Sequence, residues 1–276
     1  MSWKIYKRDR LAVVGLTILF FFLFIAILGP YLTPYPPLMT NVGGRLEPPS
    51  IEHLMGTDET GRDIFSWVIG GARISIAVGL LATLSATVIG ILIGSVSGYL
   101  GGVVDLVLMR LTEAFMVIPK FVLALVMVAI IGNSIWNIIF VIAILSWPTM
   151  ARLIRGDFLA LKEEEFVLAA KAIGEKKLFI IFSEILPNAV APVIVAATLQ
   201  VGSAILIESS LSFLGAGDPN VPSWGMIIRH AQRFLRQGWW LAVFPGIAIL
   251  LAVLSVNLVG DGLNDLVNPK TRLTKR

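Results

Sequence analysis

The 276-residue chain contains no cysteine and only two histidines, His53 and His230. Without cysteine there is no disulfide framework, no thiolate nucleophile and no Cys-based metal site. The two histidines are far apart, and no His-Glu-x-x-His helix of the kind that holds catalytic zinc occurs. A phosphate-cradling Gly-x-x-x-x-Gly-Lys-Ser/Thr loop is also missing, so the chain is not expected to hydrolyse nucleotide. An enzyme working inside a membrane would need a paired nucleophile and base, or a metal cluster. No such set is present, and no metal site is expected. Charge is scarce as well: 14% of residues are Asp, Glu, Lys or Arg, against about a quarter in an ordinary soluble domain.

What the chain has instead is apolar length, with 57% hydrophobic residues arranged in long uncharged runs. The formal net charge of +4 could suggest nucleic acid. Its basic residues, however, stand at the ends of apolar runs, as membrane topology requires, so nucleic acid is not an expected partner and lipid is. The run Leu11 to Gly29 follows Lys4, Lys7, Arg8 and Arg10. It matches the roughly 20 helical residues that cross a bilayer. A cleaved signal peptide would continue into a small-x-small site. Here Gly29-Pro30-Tyr31-Leu32-Thr33-Pro34-Tyr35-Pro36-Pro37 follows, which ends a helix and opens an extended loop.

Further spans are expected over Ile74–Val104, Leu106–Ile131, Ile135–Met150, Ile185–Ile207 and Trp239–Gly260. Lys and Arg set their orientation. One side collects the N-terminus, Arg110, Arg152, Arg155, Lys162, Lys171, Lys176, Lys177 and the basic C-terminal tail. That asymmetry assigns both termini, and the polar segment before the fifth span, to the cytoplasmic side of a multi-pass membrane protein, and the expected location is the cytoplasmic membrane. Arg229, Arg233 and Arg236 run against it, in an outer loop over Ser209 to Gln237; their spacing suggests one face of an interfacial helix. The expected fold is all-α, with six transmembrane helices. Residues 1–29 form the cytoplasmic N-terminus and first span, and 30–73 a mildly acidic extracytoplasmic loop. Residues 74–269 form the transmembrane domain with a polar loop at 156–184, and 270–276 a cytoplasmic tail.

Within the polar loop, Phe166, Ala170 and Ile173 share one helical face. Glu163, Glu164 and Glu165 favour a helix start, and Gly174 a helix stop. Leu178, Phe179, Phe182 and Leu186 offer a second amphipathic turn set. Two short helices meeting at a glycine would make a protruding knob. Periodicity alone leaves equally open a helix lying flat in the headgroups beside Lys176 and Lys177; the three glutamates weigh against it.

Few ionisable groups fall near apolar surroundings. A charge at mid-bilayer costs about 2.5–3.5 kcal/mol on insertion scales, so such groups face protein or water. Lys120, after the break at Ile118-Pro119, and Glu208, at the end of the fifth span, are therefore candidates for a pathway or gate. Glu208 either lines the outer mouth or hydrogen-bonds the loop that follows. Arg110 and Glu113, one turn apart, are expected to pair. Arg62 and Asp63 can pair or cap the helix entering the second span, and with Arg73 they are candidates for structural or outer contacts. Gly90 and Gly94 form a small-xxx-small pair suited to close helix packing.

The run Phe166-Val167-Leu168-Ala169-Ala170-Lys171-Ala172-Ile173-Gly174, followed by Glu184-Ile185-Leu186-Pro187, resembles the EAA loop of ABC-importer permeases. Gly56-Thr57-Asp58, Gly61-Arg62-Asp63 and Gly71-Ala72-Arg73 resemble the signature ahead of the second span in the peptide-type members. Ser212-Phe213-Leu214-Gly215-Ala216-Gly217 with Pro222-Ser223-Trp224-Gly225, then Phe244-Pro245-Gly246 and Asn257 to Asp265, continue the likeness in the expected order. From about His53 to Pro269 the chain resembles the C-type permease subunit of dipeptide, oligopeptide and nickel importers.

That resemblance implies a type I importer permease fold whose cytoplasmic loop docks on an ATPase. Glu165, Phe166, Ala169, Ala170, Ile173, Gly174, Leu186 and Pro187 would make the contact. The chain departs from the pattern at Leu168, where an acid usually stands, and at Glu184; Glu165 can supply the acid. The resemblance also implies a homologous B-type permease partner, two ATPase subunits that hold the ATP and Mg, and an extracytoplasmic solute-binding protein. This chain itself would bind no cofactor. Its cargo would be di- or oligopeptides, or else nickel or oligosaccharides. A stand-alone channel or secondary transporter is the rival from another class, and it would need no such knob.

Overall fold

A computed structural model describes residues 9–267. The basic cluster Lys4, Lys7 and Arg8 and the 270–276 tail lie outside the described residues. Helix α1, Arg10–Leu32, starts at Asp9, whose carboxylate accepts the N–H groups of Leu11 and Ala12. It is apolar on every side, as a helix in contact with lipid must be.

Helix α2 runs over Ile64–Leu100 and is capped by Asp63, which accepts the Ser66 N–H at 2.7 Å. It therefore begins well before Ile74, the first expected span residue. The uncharged-run criterion stops at Arg73, yet a helix longer than the bilayer is thick carries an exposed arginine on its protruding end without cost. Gly101, with φ +66°, separates α2 from α3, Gly102–Val117.

The expected third span over Leu106–Ile131 is not one rod. Helix α3 and helix α4, Lys120–Ile131, meet at an angle of 88°. The cause is local: a residue before proline is pushed out of the α region, and Ile118 sits at ψ 132°. Among the described residues, five helices are long and apolar enough to cross a membrane, and six crossings result if the bent pair counts as one.

Helix α5, Ile135–Leu161, continues past Met150 and carries Arg152 and Arg155. A short helix α6, Glu165–Ala172, leads to α7, which runs over Lys177–Phe213. Residues Ile180–Ile185 of α7 are π-helical, just before Pro187. There the Leu186 N–H bonds the Ile181 carbonyl, a five-residue step beside a residue with no N–H to give. Helix α8, Trp224–Ala231, starts at Ser223, and α9 spans Trp240–Val267.

Packing is closest between α2 and α5. A Cβ placed on Gly94 would meet Ile154 Cβ at 2.9 Å, and one on Gly98 would meet Phe158 Cβ at 2.6 Å and the Arg155 carbonyl at 2.9 Å. Gly90 faces Met150 and Ala151 in the same way. The expected small-residue contact is thus formed and extended by Gly98. At one end of the bundle, hereafter the loop end, Ile64, Trp67, Trp224, Ile227, Trp240 and Leu241 make a buried cluster. At the other, the knob end, Ile154, Phe158, Val167, Ala170, Ile180, Ile181 and Ile185 make another.

Candidate functional site

The knob is built on α6. Glu165 in its first turn faces the positive end of the helix dipole, and Lys171 occupies its last turn. Gly174 adopts φ +83°, the left-handed conformation expected of the helix stop. Its N–H bonds the Lys171 carbonyl while Glu175 N–H reaches back to Ala170, a paired C-terminal cap.

Sequence periodicity misassigns the faces of this helix. Val167 and Ala170 are buried, whereas Phe166 is 38% and Ile173 77% exposed. The buried stripe follows Val167 because that residue meets Phe158 and the π-helical turn in one apolar cluster. Nor does a separate second helix form from Leu178, Phe179, Phe182 and Leu186. That segment is the start of α7, and it buries Ile180, Ile181 and Ile185 while Leu178, Phe179 and Phe182 point out. Of the expected contact residues, Glu165, Phe166, Ala169, Ile173, Gly174 and Pro187 are on the exposed surface, Leu186 is half-buried and Ala170 is inside. The knob thus closes its own core and still presents Phe166, Leu168, Ile173, Leu178 and Phe179 outward. Exposed apolar side chains gathered on one short segment are of the kind that interaction surfaces use.

The intramembrane charges have partners. Glu208 is 1% exposed; one oxygen accepts Ser212 Oγ at 2.7 Å and the other accepts Ser75 and Ser209 hydroxyls, each at 3.3 Å. The same Ser75 hydroxyl accepts the Trp224 N–H at 3.3 Å. Glu208 thereby ties α7 to α2 and to the start of α8, which satisfies a carboxyl in an apolar setting. Lys120 Nζ donates to Thr149 Oγ1 at 3.3 Å, joining α4 to α5. Arg110 and Glu113 form the expected one-turn pair at 3.1 Å on an exposed face.

At the loop end, Asp63 caps α2 rather than pairing with Arg62. Its second oxygen faces His53 Nδ1 at 2.9 Å. Arg62 instead places its guanidinium 4.9 Å from the Trp67 ring centroid, with Nε 3.8 Å from Asp58. Arg73 is exposed. His230 Nδ1 lies 2.9 Å from Glu59 Oε1, and Trp240 Nε1 donates to the Thr57 carbonyl at 3.0 Å. Burial pushes the Glu59 carboxyl up, but the His230 hydrogen bond and the charges of His230 and Arg62 outweigh it and hold the group below its usual range. Both histidines, idle on a sequence reading, thus bind carboxylates. The expected interfacial helix through Arg229, Arg233 and Arg236 is not present: α8 ends at Ala231, and only Arg229 is helical. Residues 232–237 turn back toward α9 instead, with Gly238 N–H on the Phe234 carbonyl.

Comparison with known proteins adds three findings. The family described as "Binding-protein-dependent transport system inner membrane component" matches residues 90–273, and "N-terminal TM domain of oligopeptide transport permease C" matches residues 1–49. The dipeptide transport system permease protein DppC of Alkalihalophilus pseudofirmus is 43% identical over 98% of this chain and 90% of its own length. The DppC of Bacillus subtilis is 38% identical over 98% and 85%. The probable D,D-dipeptide permease DdpC of Escherichia coli is 39% identical over 98% and 91%. In three dimensions the chain is similar to one of the MetNI methionine ABC transporter, with a TM-score of 0.59 over 73% of this chain and 97% of that one. At 19% identity that likeness speaks for the fold.

Proposed function

This chain belongs to the family of binding-protein-dependent transport system inner membrane components, the permeases of ABC importers, and we propose that it forms half of a pathway for dipeptides and short peptides. In this reading the knob docks on an ATPase. The carrying observation is the knob's construction: a closed core of Val167, Ala170, Ile180 and Ile185 beneath an exposed set of Phe166, Ile173, Leu178 and Phe179. A lever must be stiff inside and adhesive outside, and this arrangement supplies both. The small Ala169 and the Gly174 cap allow close approach, and Glu165 offers an acid at the rim.

The Lys and Arg asymmetry supports a cytoplasmic knob and cytoplasmic termini, which leaves the His53 and Trp240 end outside, where a solute-binding protein delivers cargo. ATP and Mg sit on two partner subunits, and a homologous B-type permease completes the pathway. Closure of the ATPases on ATP draws the two knobs together, and the spans reopen toward the other side. The peptide assignment is supported by the names of the relatives.

The test is co-purification and transport with all subunits present. Deleting residues 163–176 should abolish both ATPase capture and peptide uptake. Uptake that survives the deletion would favour a self-contained channel and end the coupling reading.

A further inference from the structure

Three helices meet at one carboxylate at the knob end: α2 and α3, consecutive in the chain, and α5, 50 residues further on. Asp105, in the first turn of α3, receives Arg155 of α5 through two bonds, Nε to Oδ1 at 2.5 Å and Nη2 to Oδ2 at 2.6 Å. Ser97, near the end of α2, donates its hydroxyl to the same Oδ1 at 2.5 Å. A forked guanidinium–carboxylate pair fixes orientation as well as distance, which a single-point contact does not. The side chains are 18% and 32% exposed, so water only partly screens them.

Two physical routes lead from α6 to this point. In the first, Val167 and Ala170 pack in one cluster with Phe158, one turn beyond Arg155 on α5. In the second, Lys171 donates to the Lys162 carbonyl at 3.1 Å and holds its ammonium 5.8 Å from the Tyr99 ring centroid. Tyr99 stands two residues from Ser97 on α2. Gly98 between them lets α2 seat against the α5 backbone. Beyond Asp105, α3 runs directly into the 88° break and α4.

We propose that the Asp105–Arg155 fork, with Ser97, is the joint through which displacement of the knob reaches the broken span, making Asp105 and Arg155 positioning residues for coupling. The proposal rests on the permease reading above. Among the described residues the exposed Arg110–Glu113 pair stays within one turn of the same helix, so it serves as the internal control. A chain of contacts becomes a coupling path only when the two ends are measured to depend on it.

The experiment therefore reads peptide accumulated per ATP hydrolysed. It uses the complete importer in proteoliposomes, with dialanine as cargo and with ATPase co-purification scored alongside. With Asp105→Asn, the ATPases should co-purify as in wild type and hydrolysis should stay within about twofold, while dialanine per ATP falls on the order of tenfold. Arg155→Lys keeps the charge and loses the fork, so an intermediate fall of about threefold is expected. Glu113→Gln should leave the ratio unchanged. Simple destabilisation lowers uptake and hydrolysis together. An unchanged ratio in both Asp105→Asn and Arg155→Lys, or parallel loss of the two activities, overturns the joint. If Asp105→Asn does not accumulate in the membrane, Arg155→Lys decides alone. A wild-type importer that neither retains ATPases nor takes up peptide would instead sink the permease reading.

Discussion

His230 Nδ1 and Glu59 Oε1 are 2.9 Å apart although 171 residues separate them, and their contact fastens α8 to the loop ahead of α2. The contact has a defined pH dependence. Glu59 is held below its ordinary value of 4.5, so the folded state favours its charged form. Stability from this group is therefore full above about pH 4.5 and is lost as pH falls through the lowered folded value. Replacing Glu59 with Gln should cost roughly 1 kcal/mol near neutral pH, since the pair is only partly shielded. Thermal unfolding of both proteins across pH should show that gap closing in acid, and a gap that widens in acid would contradict the reading.

Asp63 and Arg62 are neighbours with unequal duties. Asp63→Ala removes the α2 cap and strands a buried His53, for an expected loss of about 2–3 kcal/mol. Arg62→Ala gives up a cation–ring contact at a partly open site, for about 0.5–1 kcal/mol. Denaturation in nanodiscs should rank them in that order.

Glycines on α2 and in the knob should respond differently to alanine. At Gly94 the new methyl would press on Ile154 and the Ala151 backbone, which separates α2 from α5 at about 1–3 kcal/mol. At Gly174 nothing lies within 4 Å, and only the left-handed backbone resists, at about 1 kcal/mol. Gly94→Ala should lower the melting temperature of the whole bundle, whereas Gly174→Ala should weaken ATPase capture with little change in melting.

Surface and core of the knob can be separated too. Ile173→Asp alters a residue that is 77% exposed, and is expected to leave folding intact while reducing ATPase co-purification by about tenfold or more. Val167→Asp buries a charge in the knob core and should unfold it. Hydrogen exchange over residues 163–185 distinguishes the two, since only the second should lose protection.

The rods were legible because lipid imposes a length and an apolar composition that any reader of the chain can see. Their ends were less so. Arg73 and Arg152 bound the uncharged runs but not the helices, which carry them on into the loop and knob ends. Asp63 and Gly174 announced themselves because capping chemistry is local. The knob's faces did not, because Val167 is buried by Phe158 and a π-helical turn that no periodicity in the short α6 encodes. The carboxylate partners of His53 and His230, and the fork from Arg155 to Asp105, join residues across distances over which one sequence carries no signal.

The elbow at Ile118-Pro119 sets a requirement on its surroundings. Its two arms hold 16 and 12 residues, about 24 Å and 18 Å of helix at 1.5 Å per residue. Neither arm alone matches a hydrocarbon slab of about 30 Å, so where the bent pair makes one crossing its vertex falls within the slab's depth. Carbonyls freed there cannot face oil, and they demand either neighbouring protein or a thread of water beside Lys120. A bend whose freed backbone has to be kept wet or covered is the place where a hole through such a bundle would most readily begin.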